Sequence, residues 1–284
     1  MLKNTFCHIP GIGIRMEQQL WDLGVHSWDD FDESRREHLP IGPQRIRSMI
    51  HHLDQSLAHL QAHDPNFFTN LLPSDQHWRL FQDFRDDIAY LDIETTGMGT
   101  PDDYITTIAL YDGKTISWYV QGENLEQFED DIRKYRLIVT YNGKCFDVPF
   151  IRNTLRVRMD HAHIDLRYVL ASQGYRGGLK GCERQLGIDR EDLDGVDGFF
   201  AVLLWNEFRR NHNRRALETL LAYNILDVVN LETLMVLSYN MKVAQTPFAQ
   251  THRLPVPMPP PGPFMPDRAT IEALQARLHA MSRW

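Results

Sequence analysis

Three apolar segments, 87–93, 104–111 and 115–120, follow one another with no helical stretch between them. That run constrains the fold most. Strands joined by short loops pair antiparallel, whereas strands joined through a helix pair in parallel. A fourth apolar segment, 136–142, follows one short helix candidate, "EQFEDDIRKY". "DHAHID" then supplies a short fifth strand around His163. Helix candidates dominate from there, at 147–158, 165–173, 179–187, 198–211 and 214–238. A meander followed by alternation predicts an α/β domain over 86–240: a mixed five-stranded sheet flanked by helices.

The flanks read differently. Residues 1–60 read as a small all-α segment whose helices are joined by tight glycine turns, in "HIPGIGIRMEQQL" and "HLPIGPQRIR". Residues 61–85 read as a connector. Residues 241–284 form a proline-rich tail and a short C-terminal helix, "RATIEALQARLHAMSRW". Each X-Pro step disfavours helix, so "LPVPMPPPGPF" reads as an extended strap, open to a protein partner. No apolar run approaches the roughly 20 residues of a membrane span, so no membrane partner is expected. "MLKNTFCHIPGIG" lacks the apolar core of a signal peptide. Cys7, Cys145 and Cys182 are odd in number and far apart. They suggest neither a disulfide framework nor a zinc site, and a cytoplasmic location is expected.

Charge is uneven. The chain carries a net charge of −8, yet 136–184 holds nine basic and four acidic side chains, a local excess of five. Such a stretch is either a solvated, salt-bridged surface or a side that faces phosphates.

The acids that matter sit at strand ends and core-facing helix positions. In "AYLDIETTG", Asp92 and Glu94 are two residues apart and share one strand face. Asp147 opens a helix just after the strand in "LIVTYNGKCFD", where a capping role is the ordinary reading. In "LLAYNILDVVNLETL", Leu220, Tyr223, Asp227, Leu231 and Leu234 fall on one helical stripe. A carboxylate in such a stripe needs a hydrogen bond or a cation. If all four acids converge, two Mg²⁺ or Mn²⁺ ions would make their meeting favourable and equip it for in-line phosphoryl transfer. His163 reads as part of the fifth strand and His161 as a surface residue rather than as ligands, and Asp165 as a supporting acid at most. Lys180 and Arg184, on successive turns after Gly177-Gly178, are candidate phosphate contacts.

Three of these stretches carry a resemblance. "DIETTG", "NGKCFD" and "YNILD" resemble, in order, the three motifs of the DnaQ-like (DEDD) 3′–5′ exonucleases of the ribonuclease H-like superfamily. The last has the form of the Tyr subclass. The likeness spans about 86–238 and is nearest in character to the small bacterial YprB-like branch. It implies a ribonuclease H-like fold, with Asp92, Glu94, Asp147 and Asp227 as metal ligands. It implies Tyr223 as the residue that positions the attacking water. It also implies that Thr95, Thr96 and Gly97 let the backbone approach a 3′ end. Met98 would lie against the terminal base, and Asn142 would steady the substrate. No polymerase palm or fingers accompany the motifs.

"IPGIGIRMEQQL" resembles a helix-hairpin-helix, whose turn offers backbone N–H groups to a nucleic-acid phosphate. Gly11 and Gly13 would form the turn and Arg15 would add a second contact. A plain packing turn is the other reading. The sequence as a whole points to a metal-dependent 3′–5′ exonuclease acting on DNA or RNA. The alternatives are a non-catalytic nucleic-acid-binding module and a structure-selective endonuclease on the same fold.

Overall fold

Ile88–Thr95 (β1) is the middle strand of the sheet, and its alternation decides what lies on either face. Ala89, Leu91 and Ile93 join one apolar layer, and Tyr90 joins the other. Asp92 and Glu94 therefore project on the Tyr90 side. β2 (Ile105–Tyr111) pairs antiparallel with β1, and β3 (Ile116–Val120) antiparallel with β2. β4 (Leu137–Thr140) runs parallel to β1, and β5 (Ala162–Asp165) parallel to β4. The order β3-β2-β1-β4-β5 is the mixed five-stranded sheet expected from the sequence. In this computed structural model the described residues are 1–31, 41–190, 193 and 195–281. The run 38–40, which leads into the second expected glycine turn, lies outside them.

Helices flank the sheet. α1 (Ile14–Asp22), α2 (Pro43–Gln61) and α3 (Pro65–Leu71) precede it, and α4 (Phe128–Ile132) leads into β4. α5 (Asp147–Thr154) crosses from β4 to β5. α6 (Leu166–Ala171), α7 (Gly178–Gln185), α8 (Gly198–Asn211), α9 (Arg214–Val243) and α10 (Arg268–Met281) follow. α5 stops short of the expected 158, since Arg156 takes a left-handed φ of 57°. α9 runs past the expected 238 to Val243.

The layer beneath β1's Ala89, Leu91 and Ile93 is filled by Phe128 and Ile132 of α4 and Val148 and Ile151 of α5. The opposite layer is larger and centres on α9. Each fully buried leucine of α9, such as Leu217, Leu220 or Leu234, contributes roughly 1.5–3 kcal/mol. α9 also has the length and apolar composition of a membrane span, which the sequence reading did not find anywhere in the chain. Of its most apolar window, 89% is buried inside the protein, so it is placed as a core helix.

The N-terminal helices share this larger core. Phe6, Leu20 and Trp21 belong to the same apolar cluster as α9. Glu17 of α1, fully buried, accepts from the Phe6 and Cys7 N–H groups and from Arg79, 2.6 Å away. Within 61–85, Trp78, Leu80, Phe81 and Phe84 are buried in that core as well. The tail crosses the fold as a strap. Phe248 stands edge-on to Trp21, the Asn240 amide bonds both backbone groups of Leu254, and Phe264 stands edge-on to Trp118 of β3.

Candidate active site

The cleft opens beyond the C-terminal ends of β1 and β4. There the chain departs to opposite sides of the sheet, which is where open α/β sheets hold ligands. The β1–β2 register slips between Glu94 and Thr95. Pairing is disrupted just after the second acid, which frees the chain to turn away. α9 crosses this end of the sheet with Tyr223 and Asp227 facing the cleft. One oxygen each from Asp92, Glu94 and Asp227 lies within 4.8 Å of the others. Asp147, the first residue of α5, lines the same cleft of about 370 Å³. Its Oδ1 accepts from the Ile93 N–H at 3.2 Å, which ties the helix start to the strand between the other two acids.

Burial raises every one of these carboxyls. Asp92 and Glu94 are pushed well above the usual carboxylate range by burial, then by the charges of Asp227 and Asp147. Burial pushes Asp147 up to about 7, against the pull of its backbone hydrogen bonds. Asp227 is raised by burial too, with Arg190 opposing the shift. A group of buried acids that repel one another and offer only oxygen fits a hard divalent cation. No His or Cys lines the cleft among the described residues.

Several side chains that hold this site did not stand out in the sequence. Asn224, fully buried, donates to Asp92 Oδ2 at 2.7 Å and accepts from Thr107 Oγ1 at 3.0 Å. A chain of two hydrogen bonds thus runs from β2 through α9 to the first acid. The signal was present: an amide inside an apolar helix, three residues before Asp227. Arg190 donates to Asp227 Oδ1 and, at 2.6 Å, to Glu183 Oε2. Asn230 donates to the other Glu183 oxygen at 2.8 Å. Arg190 comes from a loop, and no spacing relates it to α9. The Lys180 ammonium lies 4.7 Å from the Tyr223 ring centroid and donates to the Val196 carbonyl. Burial drives the Tyr223 phenol far upward, so it keeps its proton at neutral pH.

The expected outer residues divide. Asn142 and Lys180 line the cleft; Thr95, Thr96, Gly97, Met98 and Arg184 are not among its lining residues. Thr95 donates to the Gly97 carbonyl at 2.6 Å, and Asp103 sits where a Gly97 side chain would be. Met98 is 87% exposed on the loop beyond. Arg184, one turn past Lys180 on α7, is exposed outside the cleft. Gly11, Gly13 and Arg15 belong to the exposed start of α1 and do not line it either. His163 Nε2 is bonded to Thr140 and His161 Nε2 to the Ile132 carbonyl, as structural histidines. Asp165 caps α6 and accepts from the Asn142 and Lys144 N–H groups, so it braces the turn after β4.

The sequence profile of the RNase H superfamily matches residues 89–239, from the strand with Asp92 to the helix with Asp227. The chain belongs to the RNase H superfamily. RNase H-like nucleases use divalent metals, and in this member Asp92, Glu94 and Asp227 form an acidic cluster that could hold one. Among solved structures, the chain is similar to the family B DNA polymerase from the hyperthermophilic archaeon Pyrobaculum calidifontis, at 18% identity and a TM-score of 0.39. That match covers 55% of this chain and 24% of the polymerase, so the chain spans about a quarter of its length. No curated protein matches the chain.

Proposed function

We propose that the chain is a divalent-metal-dependent 3′–5′ exonuclease that hydrolyses phosphodiester bonds of DNA or RNA. We place it in the DnaQ-like Tyr subclass, nearest its YprB-like branch. One observation carries the reading: oxygens of Asp92, Glu94 and Asp227 within 4.8 Å of one another, on a cleft shared with Asp147 and Tyr223.

Asp92, Glu94, Asp147 and Asp227 would hold two Mg²⁺ or Mn²⁺ ions. Ions bound there supply Lewis-acid activation of a water and offset the charge that develops on phosphorus-bound oxygens. The remaining work falls to the chain itself. Asn224 and Thr107 fix the Asp92 carboxylate, and the Ile93 N–H fixes that of Asp147. Orientation of this kind lowers the barrier by removing the search for geometry. Tyr223 stays protonated and offers its hydroxyl to the attacking water, one helical turn from Asp227. Phe146 gives the cleft an apolar wall that sheds water around the reacting phosphate.

The N-terminal turn adds a sequence-independent phosphate contact in this reading. Gly13 starts α1 with no side-chain cap, Arg15 is exposed, and the Arg45 guanidinium lies against Gly11. A protein partner would meet the tail where Val256, Met258 and Met265 are exposed. The three free thiols suit a reducing cytoplasm.

The test uses 5′- and 3′-labelled single-stranded DNA and RNA with Mg²⁺ or Mn²⁺, with EDTA, and with Asp92→Ala and Asp227→Ala. A 3′-shortening ladder that needs metal and both acids is expected, with the variants folded by circular dichroism. Internal cuts would move the protein to an endonuclease. Binding without cleavage would make it a binding module.

A further inference from the structure

The acidic cleft continues past Asn142. A second cleft of about 460 Å³ shares Tyr141, Asn142, Gly177 and Gly178 with it. The two branches differ in sign. The first is lined by Asp92, Glu94, Asp147, Asp197 and Asp227. The second has no acid in its lining and contains two exposed arginines, Arg167 and Arg176.

That contrast divides part of the basic excess of 136–184. Arg152 and Arg158 pair with Asp160, Arg136 donates to the His63 carbonyl, and Lys144 reaches Ser74 and His77. Those charges are engaged within the fold. Arg167 and Arg176 form no ion pair among the described residues. Arg167 donates to the Asn142 side-chain oxygen at the junction of the two branches. Asn142 itself holds a left-handed φ of 66°, with its N–H bonded to Asp165 at 2.7 Å. The junction is therefore a braced corner. Two phenols complete the branch. The Tyr175 hydroxyl donates to Met241 Sδ at 3.4 Å, and that of Tyr141 lies 3.6 Å from Cys182 Sγ. Both rings are pinned at their polar ends. Gly177 and Gly178 keep the wall opposite free of side chains, and a Cβ at Gly178 would meet nothing within 4 Å.

A phosphodiester strand presents these features in the same order. One phosphate must meet metal-binding acids, and the next ones need cations. Unpaired bases stack on aromatic rings whatever their identity. We propose that the Arg167–Arg176 branch is the track for the single strand on the 5′ side of the scissile phosphate. Arg167 and Arg176 hold its phosphates, and Tyr141 and Tyr175 hold its bases. Phosphate contacts and stacking of this kind tolerate any sequence. The inference rests on the exonuclease reading for its polarity.

The experiment measures binding and cleavage separately. A 5′-fluorescein-labelled ten-nucleotide oligothymidylate is titrated with protein in Ca²⁺ at several salt concentrations, followed by anisotropy. Each phosphate contact contributes about 0.7 to the salt slope for a single strand. Arg176→Gln should lower the slope by about 0.7 and Arg167→Gln/Arg176→Gln by about 1.4. A hairpin of equal length should compete poorly. In Mg²⁺, wild-type KM should fall as the substrate lengthens from a dinucleotide to a decamer, and the double variant should flatten that dependence. Unchanged slopes, or a length dependence that survives the double variant, would overturn the proposal. Wild-type protein that binds with the expected slopes yet leaves even the decamer uncut would instead remove the exonuclease reading and leave the arginine branch standing as a single-strand binding site.

Discussion

Arg190→Met isolates the electrostatics of the site from its chemistry. The Arg190 side chain is 6% exposed, and its carboxylate partners Glu183 and Asp227 are 1% and 5% exposed. Solvent therefore does little to screen either pair. Removing one partner of a buried ion pair typically costs about 3–5 kcal/mol, because the charge left behind stays buried. Here two carboxylates are left, and only Asp227 can find a substitute. A divalent ion on the acid cluster replaces the lost positive charge beside Asp227 but does nothing for Glu183. The variant should thus unfold at a much lower urea concentration than wild type in EDTA, with a gap of about 3–5 kcal/mol. Saturating Mn²⁺ should narrow that gap by at least ~1.4 kcal/mol, which by linkage means roughly tenfold tighter Mn²⁺ binding by the variant. Urea melts followed by circular dichroism, with calorimetric Mn²⁺ titration, measure both sides of this cycle. A variant that unfolds at the wild-type midpoint in EDTA would refute the reasoning. So would a gap that Mn²⁺ leaves unchanged.

Three further outcomes are expected. Tyr223→Phe keeps the ring but removes the hydroxyl; it should lower kcat by about 10² while Mn²⁺ still binds in calorimetry, and an unchanged kcat would remove its role with water. Asp147 has its folded-state pKa raised to about 7, so its stabilising contribution is full below about pH 4 and is lost as pH rises through 7. Asp147→Asn should therefore melt above wild type in EDTA at pH 8 and level with it at pH 4; parallel Tm–pH curves would contradict this. An added Cβ at Gly143 would lie 2.3 Å from Thr140 Oγ1, so Gly143→Ala should cost about 1–3 kcal/mol in thermal unfolding, and a wild-type Tm would mean the turn relaxes freely.

The sheet was legible because its strands announce themselves by period and by what separates them. The alternation of Ala89, Leu91 and Ile93 against Tyr90, Asp92 and Glu94 set both layers of β1. α8 spans the 198–211 that the sequence predicts, since Asp197 offers a cap and a polar run follows. Legibility failed where partners come from distant segments. Arg190 meets Asp227 across 37 positions, and Arg79 meets Glu17 across 62. Nothing local marks either meeting. Local charge density did not separate engaged from free cations: within 136–184, Arg136, Arg152, Arg158 and Lys180 bond to carbonyls or acids and Lys144 to Ser74 and His77, whereas Arg167 and Arg176 line the corner. Asn224 lies between Tyr223 and Asp227 on α9, and its only mark in the sequence is an amide within an apolar helix.

α9 is 30 residues long, so it spans about 45 Å. Its ends hold the tail: Thr219 accepts from the Asp267 N–H near one end, and Asn240 grips Leu254 near the other. Tyr223, Asn224 and Asp227 sit well inside. Helices fray from their termini, and loosely held extended segments open before core helices do. Mild denaturant or a protease would then detach the strap first and reach the acids late. The tail works as an outer binding on a spine, and the trimmed remnant should keep its grip on metal after the wrapping has gone.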